Sequence, residues 1–192
     1  MSTCGQFTWQ EITTQGQSWA CAIDAVQNRK EALLSLLADY REEPLLFVGC
    51  GSTHYLARFA APFFQRVAHF SCRGLPSSEL ALQTDTVVLP GQRPLVVALS
   101  RSGETTETVM AVERMRERQS QALVISCYDD TPLSRLAALT VSIPDGREES
   151  YAQTRSFAGM LVAVQMLAAL VAKDQELEAS LKQLPDLADG VI

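Results

Sequence analysis

Residues 95–108 read LVVALSRSGETTET and join a predicted strand to a predicted helix. The apolar run that opens the stretch has the length and composition of a buried strand. Gly103 permits a tight turn with a positive φ, and the free N–H groups and the dipole of the following helix favour an anion. The pattern predicts a phosphate site at this junction, with hydroxyl donors from Ser100, Ser102 and Thr105. The alternative is an ordinary turn in which a serine or threonine only caps the helix.

The rest of the chain alternates predicted strands with helical patterns. Besides the strand at 94–99, strands are predicted at 45–48, 68–71, 122–127 and 139–143. Helical patterns cover 8–40, 53–66, 104–119, 150–172 and 174–184, with shorter helical segments from 76 and from 132. This alternation predicts βαβ units and an α/β fold, a doubly wound three-layer α/β/α sandwich with a five-stranded parallel sheet. In such a sheet, ligands bind beyond the carboxyl ends of the strands.

The charge of the chain argues against several classes of partner. Its 192 residues carry a formal net charge of −6 and no basic run, which disfavours nucleic acid and an anionic membrane surface. A small phosphorylated ligand is compatible with this charge because backbone amides and hydroxyls can hold it. The apolar segment at 157–172 is shorter than the roughly 20 residues that a bilayer requires, so we expect a buried core helix and no membrane association.

Cysteine and histidine usage is typical of a cytoplasmic protein without a metal site. The five cysteines are widely spaced, no C-x-x-C occurs, and only two histidines are present. Reduced thiols in a cytoplasmic protein are the simplest interpretation. The first residues lack the basic start and the apolar core of a signal peptide. We expect no metal ion and no redox cofactor.

A second glycine-containing turn follows the first predicted strand. Residues 49–54 read GCGSTH and begin like a dinucleotide fingerprint. His54 stands where the third glycine of that fingerprint belongs, which disfavours a nicotinamide cofactor. What remains is a second helix start after Gly51, where the hydroxyls of Ser52 and Thr53 can meet an anion.

Three segments in this order resemble the sugar isomerase (SIS) domain family, which has a flavodoxin-like α/β fold. They are GCGST at 49–53, SRSGET at 100–105 and EESYAQTR at 148–155, and together they cover about residues 40–175. The stretch around Glu11 resembles the lead-in to the first SIS domain of two-domain phosphosugar isomerases. These include the isomerase half of glucosamine-6-phosphate synthase and the tagatose-6-phosphate or galactosamine-6-phosphate ketose/aldose isomerases (deaminases).

The resemblance implies three parts of the chain. Residues 1–40 would form an N-terminal helical lead-in and residues 41–175 the SIS domain. Residues 176–192 would form a C-terminal helix or linker that leads to a second SIS domain.

The resemblance also implies roles for individual residues. Phosphate binding is implied for Ser100, Ser102 and Thr105, together with the backbone amides of Arg101 and Gly103. Contact with the sugar hydroxyls is implied for Ser52 and Thr53, with Gly51 and Arg155 in support.

The catalytic groups are less well defined by the resemblance. Glu148, expected at the mouth of the site, is the candidate catalytic residue, and Glu149, Glu79 and His54 are the other candidates for the base. Arg155 would hold its segment by an ion pair, or serve only as a packing salt bridge. In the two-domain relatives the base comes from the second SIS domain, so a second SIS domain or a homodimer would complete the site.

The function implied is that of a phosphosugar-binding domain of an aldose–ketose isomerase. Its substrate would be a hexose or aminohexose phosphate, with loss of ammonia as a variant of the reaction. A fructosamine-type 6-phosphate deglycase is one alternative. A non-catalytic sugar-phosphate sensor or a dimerisation module is another, although residues 1–40 carry too few basic residues for a DNA-binding segment.

Overall fold

A five-stranded parallel sheet forms the centre of the molecule. The computed structural model describes residues 5–188. The strands are β1 (Leu45–Gly49), β2 (Cys72–Pro76), β3 (Leu95–Ser100), β4 (Ala122–Ser126) and β5 (Leu139–Ser142). They are all parallel and lie in the order β2-β1-β3-β4-β5. The predicted five-stranded parallel α/β sheet is confirmed.

Helices cover both faces of this sheet. They are α1 (Gln6–Thr13), α2 (Gln15–Asn28), α3 (Lys30–Ala38), α4 (Ser52–Ala68), α5 (Ser77–Leu82), α6 (Thr84–Val87), α7 (Thr106–Glu117), α8 (Pro132–Leu136), α9 (Arg155–Ala172) and α10 (Gln175–Ala188), with a 3₁₀ turn at Pro144–Gly146. Alternate strand residues face opposite layers: Leu45 and Phe47 pack with α2, α3, α4, α9 and α10, whereas Leu46 and Val48 pack with α5–α8. Burial on both faces explains why the central strands are continuous apolar runs.

Two predicted boundaries are wrong. The strand predicted at 68–71 lies at Cys72–Pro76, because α4 continues to Ala68 and ends at His69, whose φ is 58°. This edge strand is only partly buried and has no apolar run to mark it. The helix predicted from residue 150 begins at Arg155, because the residues before it form an irregular segment around buried carboxylates, described below.

Helix α4 also runs through Pro62, although a proline inside a helix ordinarily kinks or breaks it. Proline leaves the carbonyl four residues earlier without its helical partner. That residue is Arg58, and both Arg58 and Pro62 are exposed. Water can therefore solvate the freed carbonyl, and the helix continues.

The N-terminal and C-terminal helices share the core of the sheet. Ala22 and Val26 of α2 and Leu181 of α10 are buried in the same cluster as the strand residues. The predicted division of the chain into a helical lead-in, a SIS domain and a C-terminal helix, with boundaries at residues 40 and 175, stays a prediction. Residues 1–4 of the lead-in and 189–192 of the C-terminal segment lie outside the described part of the chain. Helix α9 is long and apolar enough to cross a membrane, but 61% of it is buried inside the domain, as in the core helix of a soluble protein.

We predict that two phenylalanines of α4 differ sharply in their contribution to stability. Phe64 is fully buried, and its ring centroid lies 5.6 Å from that of Phe47 and 5.8 Å from that of Phe70. Phe64→Ala should lower the free energy of unfolding by about 3–5 kcal/mol because it leaves a core cavity. Chemical denaturation measures the effect.

The matched control is Phe59→Ala on the same helix. Phe59 is 43% exposed, so its truncation should cost less than about 1 kcal/mol. Equal losses for the two variants would contradict the burial of the α4 face described here.

Candidate functional site

The loop between β3 and α7 contains two serine hydroxyls that accept hydrogen bonds from its own backbone. Gly103 has a φ of +67°, and its N–H donates to Ser100 Oγ at 3.1 Å. The N–H of Glu104 donates to Ser102 Oγ at 3.2 Å. Each serine oxygen thus accepts a bond inside the loop and keeps its own hydrogen for another acceptor. Ser100 is buried and Ser102 is half-buried, so Ser102 is the more accessible donor.

Two carbonyl groups of this loop are held by hydrogen bonds to later parts of the chain. Arg101 O accepts from Cys127 N at 3.1 Å and from Ser126 Oγ at 3.2 Å. Gly103 O accepts from Leu133 N at 3.1 Å. A Cβ atom at Gly103 would lie 2.3 Å from Thr131 Oγ1, so only glycine permits this packing.

The amides of the loop are available to a ligand. Within residues 5–188, the N–H groups of Ser102 and Thr105 have no hydrogen-bond acceptor. Thr105 is the N-cap of α7, and its side chain makes no capping hydrogen bond. Free amides, hydroxyls and a helix N-terminus at one place are features that favour an anion. Residues 100–105 are called the phosphate loop below, after the ligand that the sequence predicts for them.

The turn after β1 differs from the expectation for Thr53. Gly51 has a φ of +60° and Ser52 is exposed. Thr53 is 3% exposed, and its Oγ1 donates to Cys50 O at 2.9 Å and accepts from Cys50 N at 3.0 Å. Ser52 is therefore available to a ligand, whereas the Thr53 hydroxyl closes the turn from inside.

The first turn of α7 contacts the turn after β1 and the turn after β2. Burial raises the pKa of the Cys50 thiol, and the negative charge of the nearby Glu107 carboxylate raises that pKa further. Thr108 Oγ1 lies 2.9 Å from Ser77 Oγ in a buried hydrogen bond. The turns after β1 and β2 are thus joined to the helix that follows the phosphate loop.

Glu148 is a buried carboxylate surrounded by donors. Its side chain is fully buried. Its Oε1 accepts from Thr154 N at 2.6 Å, Thr154 Oγ1 at 2.8 Å and Ser156 N at 3.2 Å, and its Oε2 accepts from the Ser156 hydroxyl. Burial acts to raise the pKa of Glu148, but these hydrogen bonds, led by that of Ser156, outweigh it and lower the pKa.

This environment bears on the catalytic role expected for Glu148. A general base works best when its pKa lies near the operating pH, and the pKa of Glu148 is shifted away from neutrality. The geometry supports a positioning role for this carboxylate. Its catalytic role stays a prediction.

Arg101 links the phosphate loop to the segment after the 3₁₀ turn. Its Nη1 lies 3.4 Å from Glu148 Oε2 and donates to Ser150 O at 3.2 Å and Tyr151 O at 3.4 Å. The sequence predicts only the amide of Arg101 at the site. Its guanidinium is a second contribution, since one side chain fastens two loops together.

A further carboxylate reaches this segment from α1. Glu11 is 3% exposed, and its Oε1 accepts from Glu149 N at 2.6 Å and Ser150 N at 3.0 Å. Its Oε2 accepts from the Ser150 hydroxyl. In the sequence, Glu11 is only part of the resemblance, and no role is predicted for it.

The ion pair expected for Arg155 does not form among the described residues. Its guanidinium instead donates to Arg147 O, at 3.0 Å from Nε, and to Thr14 Oγ1 at 2.8 Å. Arg155 therefore supports the segment through a carbonyl and a hydroxyl rather than through a carboxylate.

A cavity of about 360 Å³ opens beside the phosphate loop. It is lined by Arg101, Ser102, Glu104, Tyr128, Asp129, Asp130, Thr131 and Glu148. Its volume is in the range of small-molecule sites. Part of the cavity lining comes from the residues between β4 and α8, which the sequence did not single out. Their place after the carboxyl end of a parallel strand is the one signal that could have indicated them.

Comparison with known proteins identifies the family of this chain. The family model described as "SIS domain" matches residues 40–170, more than half of the chain. The chain belongs to the SIS domain family. This confirms the family that the three sequence segments indicated.

The relatives are longer proteins of phosphosugar metabolism. A glutamine–fructose-6-phosphate aminotransferase (isomerizing) of Campylobacter jejuni is 26% identical over 138 residues, which cover 72% of this chain and 23% of the relative. A second one, from Thermococcus kodakarensis, is 25% identical over 178 residues, covering 86% of this chain and 29% of the relative. The chain thus spans less than a third of the length of these relatives.

The same fold occurs in solved structures. Tagatose-6-phosphate ketose/aldose isomerase from Escherichia coli superposes with a TM-score of 0.86 at 20% identity, covering 97% of this chain and 53% of that chain. The C-terminal domain of glucosamine-fructose-6-phosphate aminotransferase from Francisella tularensis has a TM-score of 0.80 at 21% identity, covering 97% and 55%. The SIS domain described here corresponds to about half of each.

We predict that Glu148→Gln destabilises the domain in a pH-dependent way. At neutral pH the variant should lose about 3 kcal/mol, because a buried charge with several donors is replaced by an amide. Since the pKa of Glu148 is lowered below its ordinary value of 4.5, its ionised form contributes stability above that value. This contribution is lost as the pH falls through the lower folded pKa.

Denaturant unfolding of both proteins between neutral and acidic pH checks this prediction. The difference between wild type and variant should shrink in acid. Glu149→Gln, at an exposed neighbouring position, is the control and should stay within about 0.5 kcal/mol of wild type. A pH-independent loss would mean that the ionised form of Glu148 does not stabilise the fold.

Proposed function

We propose that this SIS domain binds the phosphate of a hexose or aminohexose phosphate in the loop from Ser100 to Thr105. One observation carries the proposal. Two loop carbonyls, of Arg101 and Gly103, bond to protein donors, whereas the N–H groups of Ser102 and Thr105 and the hydroxyl of Ser102 have no acceptor within residues 5–188 and lie at a helix N-terminus. A phosphate group supplies the acceptors that this arrangement lacks.

The reaction that we propose for the whole protein is aldose–ketose isomerisation, with loss of ammonia as a variant when the substrate is an aminohexose phosphate. A base takes a proton from the carbon beside the carbonyl, and an acid moves protons between the two oxygens. The phosphate loop contributes by holding the reacting carbon in place. The names of the relatives, which concern fructose 6-phosphate and tagatose 6-phosphate, support this substrate class.

The base for this reaction is proposed to come from a partner. Glu148 has a lowered pKa and is enclosed by donors, which suits an anchor better than a proton acceptor. We propose that a second SIS domain or a second copy of this chain supplies the base at the open side of the cavity. A cytoplasmic location is part of the same proposal, since sugar phosphates are metabolites of that compartment.

A non-catalytic sugar-phosphate sensor is the second candidate. The same property of Glu148 favours it, since binding requires no base. A fructosamine-type 6-phosphate deglycase would use the same phosphate loop with a different bond broken. Incubation of the protein with each bound sugar phosphate tests for an enzyme, because only an enzyme yields an interconverted sugar or a released amine. Binding without turnover would favour the sensor or a half-enzyme that needs its second domain.

We predict that Ser102→Ala weakens binding of sugar phosphate. Loss of one hydrogen bond to a charged group should raise the Kd of fructose 6-phosphate or glucosamine 6-phosphate about tenfold to a hundredfold. The melting temperature should hardly change, because Ser102 lies at the surface of the loop. Isothermal titration calorimetry measures the Kd.

Two controls accompany this measurement. Ser180→Ala on α10 removes an exposed hydroxyl that bonds only within its helix and should leave binding unchanged. Unphosphorylated fructose should not bind wild type detectably. Unchanged binding by Ser102→Ala, together with a large loss of stability, would contradict the phosphate site.

The homodimer form of the partner proposal predicts concentration-dependent association. Sedimentation velocity over a wide concentration range should show a dimer of the 192-residue chain, favoured by sugar phosphate because the ligand would lie between the two copies. A monomer at every concentration, with and without ligand, would exclude the homodimer and leave the second SIS domain as the proposed partner.

A further inference from the structure

Helix α1 is attached to the domain in an unusual way. Its one buried residue is Glu11, whereas its aromatic residues Phe7 and Trp9 are 49% and 65% exposed. A surface helix normally packs through an apolar stripe. Here a carboxylate is the buried side chain, so polar contacts rather than apolar packing define how α1 meets the domain.

The partners of Glu11 belong to the segment that borders the phosphate loop. Its Oε1 accepts from the amides of Glu149 and Ser150, and its Oε2 accepts from the Ser150 hydroxyl. Two backbone N–H groups and a hydroxyl around one carboxylate satisfy a buried charge, and each such bond is stronger than one between neutral groups.

Arg101 holds the same segment from the other side. Its guanidinium donates to the carbonyls of Ser150 and Tyr151, while Glu11 takes the amides. The segment at 149–151 is therefore fixed between an anion on α1 and a cation on the phosphate loop. Tyr151 itself is fully exposed, so its own side chain adds no packing that would hold the segment.

This arrangement controls where the positive charge of Arg101 lies. Arg101 lines the cavity together with Ser102, and its side chain is 26% exposed. Its carbonyl acceptors stay in place only while the segment at 149–151 stays in place. Without the Glu11 carboxylate, the amides of that segment have no acceptor there, and the segment becomes mobile. The carbonyls that orient Arg101 then move with the segment.

We propose that Glu11 is a positioning residue of the phosphate site, acting through the segment at 149–151 on the guanidinium of Arg101. The inference rests on the proposed phosphate binding and adds to it a residue far from that loop in the chain. By linkage, a phosphate that binds better to the ordered arrangement also strengthens the attachment of α1.

The test compares phosphate affinity in four versions of the full chain: wild type, Glu11→Gln, Arg101→Gln and the double variant. Titration with inorganic phosphate and with fructose 6-phosphate is done well below each melting temperature. Glu11→Gln should raise both Kd values about threefold to thirtyfold, the usual range for coupling between sites. In the Arg101→Gln background the same substitution should change Kd by less than about twofold, because the coupled group is gone.

Glu31→Gln is the matched control, since Glu31 is an exposed glutamate in the first turn of the neighbouring helix α3. It should leave both Kd values unchanged. A second readout uses Trp9 as the sole tryptophan in a Trp19→Phe background. The fluorescence anisotropy of Trp9 should fall in Glu11→Gln and rise when phosphate binds to the chain with Glu11 intact.

The outcomes separate the two proposals. If wild type binds neither phosphate nor fructose 6-phosphate, the proposed function fails, and this inference with it. If wild type binds and Glu11→Gln lowers only the melting temperature while both Kd values stay the same, Glu11 merely fastens α1 and the positioning role is overturned. Fully multiplicative effects of Glu11→Gln and Arg101→Gln would also overturn the route through Arg101.

Discussion

The carboxyl edge of this domain depends on the burial of one negative charge. Glu148 carries it in a side chain without solvent exposure, and a charge in that position requires partners. The partners are Thr154 and Ser156, which begin α9, and Arg101, which belongs to the phosphate loop. One carboxylate therefore sets the start of the core helix and the position of the cation beside the candidate ligand cavity.

The charges around the cavity form a connected system. Arg101 bonds to Glu148 and to the carbonyls of the following segment, and Glu11 bonds to the amides of that segment. Removal of one group takes a partner away from the others, and a buried polar group that is left without any partner costs more than the net value of the bond. The loops are short and irregular, yet each is held by polar contacts from a different part of the chain.

The sequence predicted what is encoded locally and missed what depends on distant contacts. Residues 95–108 contain their own strand, turn and helix start, so that junction is confirmed nearly to the residue. The strand β2 was misplaced because, as a partly buried edge strand, it lacks an apolar period. Glycine at position 74 of β2 is required by the close packing of α4, since a Cβ atom there would lie 2.4 Å from Ala57 O. The bond between Glu11 and Glu149 joins residues 138 positions apart, and no spacing rule could have indicated it.

Helix α7 begins at Thr105 without any side chain to cap it. An uncapped helix start is about 1 kcal/mol less stable than a capped one. Without a ligand, the first turn of α7 is therefore less stable than a capped turn would be. An anion bound there does the work of the absent cap. Part of its binding free energy would then be expressed as rigidity of α7, and through Thr108 and Ser77 this stiffening would reach α5 in the same layer of the sandwich.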